Sequence, residues 1–176
     1  MQKEIIATSA NVASEMQELK GKYQQKELAG IAHVSRPAIG HYSTGERNMP
    51  REIMQGITES LDENILARKL LAKFSPYVVP FADEVSGHPL CFKTLATKEQ
   101  LEEDESANRI AHLLAKDMNH LKQGERREIR EYVNELLDEV MIKNSLLPSI
   151  CDSYNFNLPE MIRYRQKHWK ELGYLK

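Results

Sequence analysis

Cysteine is nearly absent. Cys91 and Cys151 are the only two in 176 residues and stand far apart without CxxC spacing, so neither a disulfide framework nor a zinc site is indicated. A reducing cytoplasm suits that usage. Long apolar runs are missing too: none approaches the ~20 residues needed to span a bilayer. The opening stretch MQKEIIATSANVASEM has no continuous apolar core, so neither membrane insertion nor export is expected. His88, His112 and His120 fall at no recognisable metal-ligand spacing. Nor does one sign of charge prevail, the formal net charge being -2. Affinity for a polyanion would have to come from a local basic surface, because Lys and Arg supply it by neutralising phosphates. What is present, 41% hydrophobic and 28% charged residues, suffices for one domain with a core and a second, smaller one.

The stretch Gln25 to Pro50, QKELAGIAHVSRPAIGHYSTGERNMP, is the most informative. Leu28, Ala29 and Ala32 fall at helical period and predict a short helix over Gln25 to Ala32. Ala29 is small enough for a second helix to cross closely. Ser35 is a helix N-cap, with Pro37 in the following first turn, so a second helix starts near Arg36. Its buried side is Ile39 and Tyr42. Arg36, Pro37, Gly40 and His41 are left on the outer face, and Gly45 ends the helix as a C-terminal cap. Across Gln24 to Arg51 the bases Lys26, Arg36, Arg47 and Arg51 outnumber Glu27 and Glu46.

Taken together, Gln25, Leu28, Ala29, Val34, Ser35, Ile39, Tyr42, Gly45, Arg47 and Pro50 resemble the lambda-repressor-like (Xre-type) helix-turn-helix family. The likeness reaches about residue 61 when Val12, Met16 and Leu19 are assigned to a preceding helix and Ile53, Ile57 and Leu61 to a following one. It implies a small helical domain whose second motif helix, Arg36 to Ser43, lies in the major groove of double-stranded DNA. By position Gln25 is similar to the family's phosphate-contacting glutamine, and Arg36, Pro37, Gly40 and His41 occupy base-facing slots. The DNA-binding set expected on these grounds is Gln25, Lys26, Ser35, Arg36, Pro37, Gly40, His41 and Arg47. Arg36 suits a bidentate contact to guanine, and Pro37, lacking a backbone donor, offers apolar contact to a thymine methyl. Two positions depart from the family pattern. His33 stands where the turn usually has glycine, and Ser43 stands where a glutamate is common.

Beyond Leu61, Leu66, Leu70 and Leu71 mark a helix over Ile65 to Phe74. Pro76, Pro80, Gly87 and Pro89 then break the pattern. This divides the chain into a DNA-binding domain at 1–74, a linker or packing segment at 75–97 and a helical domain at 98–176. In the last, Ile110, Leu114, Met118 and Leu121 predict a long amphipathic helix over Lys98 to Lys122. Ile129, Val133, Leu136, Leu137, Val140 and Met141 predict a second over Glu125 to Asn144, and the short KQGE connection makes the two an antiparallel hairpin. A final helix begins at Asn157 and stops at Gly173.

The expected fold is therefore all-α. The expected function is sequence-specific transcriptional regulation in the cytoplasm, by a repressor of phage or mobile-element type bound to a two-fold operator. One hairpin cannot hide its apolar stripes alone, so a homodimer through residues 98–172 is expected. No cofactor, metal or catalytic residue is expected, and no Ser/Lys or Ser/His arrangement suggests self-cleavage. An antirepressor protein or small-molecule inducer is compatible but assigned to no residue. Two alternatives stand. One is a protein-protein adaptor. The other is a magnesium-dependent nucleotide pyrophosphatase, because Glu99, Glu102, Glu103 and Glu105 facing Glu135 and Asp138 resemble the metal sites of MazG-like all-α enzymes.

Overall fold

The computed structural model describes residues 7–61 and 63–176. The described chain is mostly helical, in the order β1 (Ser9–Ala10), α1 (Ala13–Lys22), α2 (Gln25–Ile31), α3 (Arg36–Thr44), β2 (Met49–Pro50), α4 (Arg51–Ser60), α5 (Asn64–Phe74), α6 (Pro89–Leu114), a 3-10 turn (Met118–His120), α7 (Gln123–Tyr154) and α8 (Leu158–Glu171). None of the described helices is long and apolar enough to cross a membrane. The chain divides into two compact units, residues 1–80 with 154–176, and residues 81–153. The sequence boundaries differ from this. Residues 154–176 fall with the first unit rather than with the hairpin, and the last nine residues of the expected linker, from Pro89 onward, are already helix α6.

The core of the first unit is built by the periodic residues of α1 to α5. Val12, Met16, Leu19, Leu28, Ile39, Ile57 and Leu70 are fully buried, with Ala29, Ala32 and Tyr42 beside them. Ile53 and Leu61 pack at the margin. On α5 the buried series is Leu66, Leu70 and Phe74, while Leu71, expected inside, is exposed. A step of four residues keeps one face of a helix, and Leu71 lies off it. The start of the described chain is fastened to this core. Ser9 pairs with Pro50 and Ala10 with Met49 in the antiparallel β1–β2 ladder, and the Ala7 amide donates to the Phe74 carbonyl.

Helices α1 and α5 are also joined along their length by Lys22–Glu63 at 2.6 Å, Glu18–Lys69 at 2.8 Å and Glu15–Lys73 at 3.3 Å. The residue numbers run in opposite directions, so the two helices are antiparallel. Helix α8 starts from an Asn157 N-cap, as the sequence predicts. The Asn64 side chain at the head of α5 engages the turn before α8 through both amide atoms, donating to the Phe156 carbonyl and accepting from the Leu158 amide. No residue of α8 is buried.

In the second unit α6 and α7 form an antiparallel pair, joined by the Tyr132 hydroxyl donating to Glu103 and by Lys116–Glu125 near the turn. The Glu103 carboxylate holds the Tyr132 phenol above its usual value. Three expectations are corrected here. The first long helix ends at Leu114 rather than Lys122, because Asp117 caps a 3-10 turn by accepting from the Asn119 amide. Met118 is consequently two-thirds exposed instead of lying on the stripe. The second helix does not end at Asn144 but continues through Pro148 to Tyr154. A proline inside a helix removes one backbone bond at a cost of about 3 kcal/mol. Here Pro148 is buried, between Ser145, which accepts from the Ala82 amide, and Ser149, which donates to the Gly87 carbonyl. That packing carries the helix across the break.

Candidate nucleic-acid interface

The site is built on two short helices and the turn between them. His33 has φ 51°, the left-handed region, in the slot where the sequence places a non-glycine turn residue. Left-handed geometry costs roughly 1–2 kcal/mol for a residue with a Cβ. Backbone bonds secure it on both sides, from the His33 amide to the Gly30 carbonyl and from the Val34 amide to the Ala29 carbonyl. Ser35 then caps α3, its hydroxyl accepting from the Ala38 amide at 3.4 Å, with Pro37 in the first turn. Ile39 and Tyr42 face inward and are buried, and Gly45 closes the helix at φ 75°.

This leaves Ser35, Arg36, Pro37 and His41 exposed, with Gly40 half-buried. Arg36, Pro37, Gly40 and His41 fall at i, i+1, i+4 and i+5, which is one face of a helix. Gln25, at the start of α2, donates from Nε2 to the Arg36 carbonyl at 2.8 Å. One of its two amide hydrogens is thereby engaged inside the protein, and the bond ties the heads of α2 and α3 together. The closeness is tight, since a Cβ on Gly40 would stand 3.1 Å from the same Nε2. Lys26 beside it is exposed. Arg47, past the cap, folds back so that its amide donates to the His41 carbonyl and its guanidinium stands 6.0 Å from the centre of the Tyr42 ring.

Ser43, where a glutamate was the family expectation, is buried and donates to the Ile39 carbonyl at 2.7 Å, while Gln17 of α1 donates to its backbone carbonyl. The Gln17 bond links α1 to the end of α3 without an ion pair. Sequence reasoning missed Glu46. Its carboxylate lies 2.6 Å from His41 Nδ1. The only sequence signal for that contact is Gly45, whose positive φ turns the chain back toward α3.

The carboxylates of the alternative reading are dispersed. Lys98 Nζ bridges Glu99 and Glu102 at 3.3 and 3.1 Å, and Glu103 accepts from Tyr132. Among the described residues no three His, Cys, Asp or Glu side chains converge to hold a metal ion. The expected facing set of Glu99, Glu102, Glu103 and Glu105 against Glu135 and Asp138 is therefore not assembled. A depression of 480 Å³ with a mixed lining, including Glu59, Leu71 and Arg163, lies between the α4–α5 turn and the head of α8. No family model matches the chain, and no curated protein or solved structure matches it either.

Proposed function

We propose that the protein is a sequence-specific, double-stranded DNA-binding transcriptional regulator of the Xre helix-turn-helix type, acting as a repressor by occupying an operator. The observation that carries this reading is the presentation of α3. Its core face is buried, its N-terminus is capped by Ser35, and Arg36, Pro37 and His41 stand exposed together on one side. A helix held in this way on a compact domain enters the major groove with its first residues against base edges. Arg36 is the principal reader, because its guanidinium fork matches guanine O6 and N7. Lys26 and Arg47, exposed around the helix, suit phosphate, and Gln25 keeps one amide hydrogen for the same purpose.

The regulator acts as a homodimer. Val133, Leu137, Val140 and Leu147 of α7 are each more than a third exposed, and their spacing of four, three and seven is that of a seam between helices. A second copy covers such a stripe and supplies the second reading head for a two-fold operator. Selection of bound fragments from a randomised duplex pool, at two salt concentrations and with Arg36→Ala alongside, tests the reading. The expected result is a two-fold symmetric consensus whose information at one position per half-site is lost in the variant, a discrimination of about 1–3 kcal/mol. Enrichment of no sequence, with binding that collapses as salt rises, would reject it, because phosphate attraction alone behaves that way.

A further inference from the structure

His41 and Glu46 are both exposed, at 52% and 63% of their side-chain surface, yet their polar atoms Nδ1 and Oε2 are 2.6 Å apart. The contact is framed by backbone on either side. His41 belongs to α3, Gly45 at φ 75° reverses the chain, and the Arg47 amide returns to the His41 carbonyl. Glu46 is therefore presented to the ring by the cap itself. An ionised carboxylate accepts hydrogen bonds and has none to donate, so the proton of a neutral imidazole must sit on Nδ1. The opposite nitrogen, Nε2, is then a bare acceptor.

We propose that His41 reads a hydrogen-bond donor on a base edge, the exocyclic amino group of adenine N6 or cytosine N4, with Glu46 as the positioning residue that sets the tautomer. The inference rests on the DNA-binding reading of α3 and adds the chemistry of one contact to it. In the major groove these amino groups are the donors, whereas guanine O6 and N7 and thymine O4 accept. A bare Nε2 also meets unfavourably with a phosphate oxygen, so the contact belongs to a base rather than to the backbone. The division of work with Arg36 is chemical. The guanidinium has only donors and takes acceptor edges, and His41 takes a donor edge farther along the same helix face. Glu46 pairs with a side chain of the reading surface instead of confronting the phosphates as an isolated anion.

Two measurements on the full-length protein test this. Nitrogen-15 NMR of the histidine rings in the free protein reports the tautomer without any DNA. The expected spectrum shows His41 protonated at Nδ1, and Glu46→Gln mixes the two tautomers, because an amide can donate as well as accept. The second is fragment selection at about pH 8, above the ordinary histidine range, with wild type and His41→Ala. Adenine or cytosine is expected at one position per half-site in the wild type and any base there in the variant. Replacing that adenine by purine, or that cytosine by its analogue without the amino group, should weaken wild-type binding about 2- to 10-fold, the range of one neutral hydrogen bond. The same replacement should leave His41→Ala unchanged. An Nε2-protonated ring, a guanine or thymine at the position His41 controls, or a loss in His41→Ala spread evenly over all sequences would overturn the proposal while leaving a regulator that reads through Arg36. Enrichment of no sequence by the wild type would remove both.

Discussion

Lys73→Met should destabilise the first unit by an amount set by Glu15 rather than by the lysine. Glu15 lies on α1 with 6% of its side chain exposed, and Lys73 reaches it from α5 at 3.3 Å while remaining 46% exposed. Glu15 Oε2 is buried without a hydrogen-bond partner. Removing one partner of a fully buried pair costs about 3–5 kcal/mol, because the charge left behind is desolvated and uncompensated. The exposed ammonium and the long contact reduce that, so the expected loss is about 1–3 kcal/mol, still above the roughly 0–1 kcal/mol of a surface pair. Glu15→Gln removes the buried charge at nearly constant volume and should stay within about 1 kcal/mol of wild type. On that background Lys73→Met should cost almost nothing, which makes the coupling in a double-mutant cycle about 1–3 kcal/mol. Trp169 is the one tryptophan of the chain and belongs to the same unit, so urea unfolding followed by its fluorescence reads the relevant transition. An equal loss from Lys73→Met in the wild-type and Glu15→Gln backgrounds would refute the reasoning, since the cost would then come from lost packing of the lysine stem.

Gly45→Ala should cost about 1–2 kcal/mol from left-handed geometry alone, and its Cβ would press on Asn11 Nδ2 at 3.1 Å; an unchanged urea midpoint would show that the cap relaxes. Lys116 and the Lys122 amide bond the Glu125 carboxylate and hold it below its ordinary value of 4.5. Glu125 therefore favours the folded state above the ordinary glutamate range and loses that effect as pH falls through its lowered value. A carboxyl titration by NMR should show the depressed midpoint and its return toward 4.5 in Lys116→Met, and an ordinary midpoint in the wild type contradicts the turn geometry. Cys151 is buried, with burial raising its thiol pKa, while Cys91 is exposed. Iodoacetamide should thus label Cys91 first in the native protein and both after unfolding, as peptide mass spectrometry can report; early labelling of Cys151 would mean that the second unit opens readily.

The short helices of the first unit were legible in the sequence because their signals are local. Leu28, Ala29 and Ala32 repeat at helical period, Ser35 caps where it stands, and Gly45 adopts the positive φ that its lack of a Cβ permits. The exposed face of α3 followed by subtraction. What lies beyond that reach depends on partners distant in sequence. The end expected at Asn144 gives way because Ser145 and Ser149 fasten α7 to the segment around Ala82 and Gly87. Met118 continues an apolar period, yet Asp117 caps a new turn just before it, and a cap bond overrides a single apolar side chain.

The same distinction separates Arg36 from Glu46 at the candidate interface. An exposed arginine in the first turn of α3 announces its chemistry by type, since guanidinium donates wherever it is placed. Glu46 has no such signature, because between Gly45 and Arg47 it reads as an ordinary acidic residue past a helix end. Its meaning comes from the left-handed glycine that turns it onto His41 Nδ1. Histidine is the side chain whose hydrogen-bonding sense its neighbours decide, so on the proposed reading the residue that orients the ring bears as directly on base choice as the ring itself. If the proposed reading holds, a substitution at position 46 should alter which base is preferred, whereas loss of a mere surface charge would only shift affinity and its salt dependence.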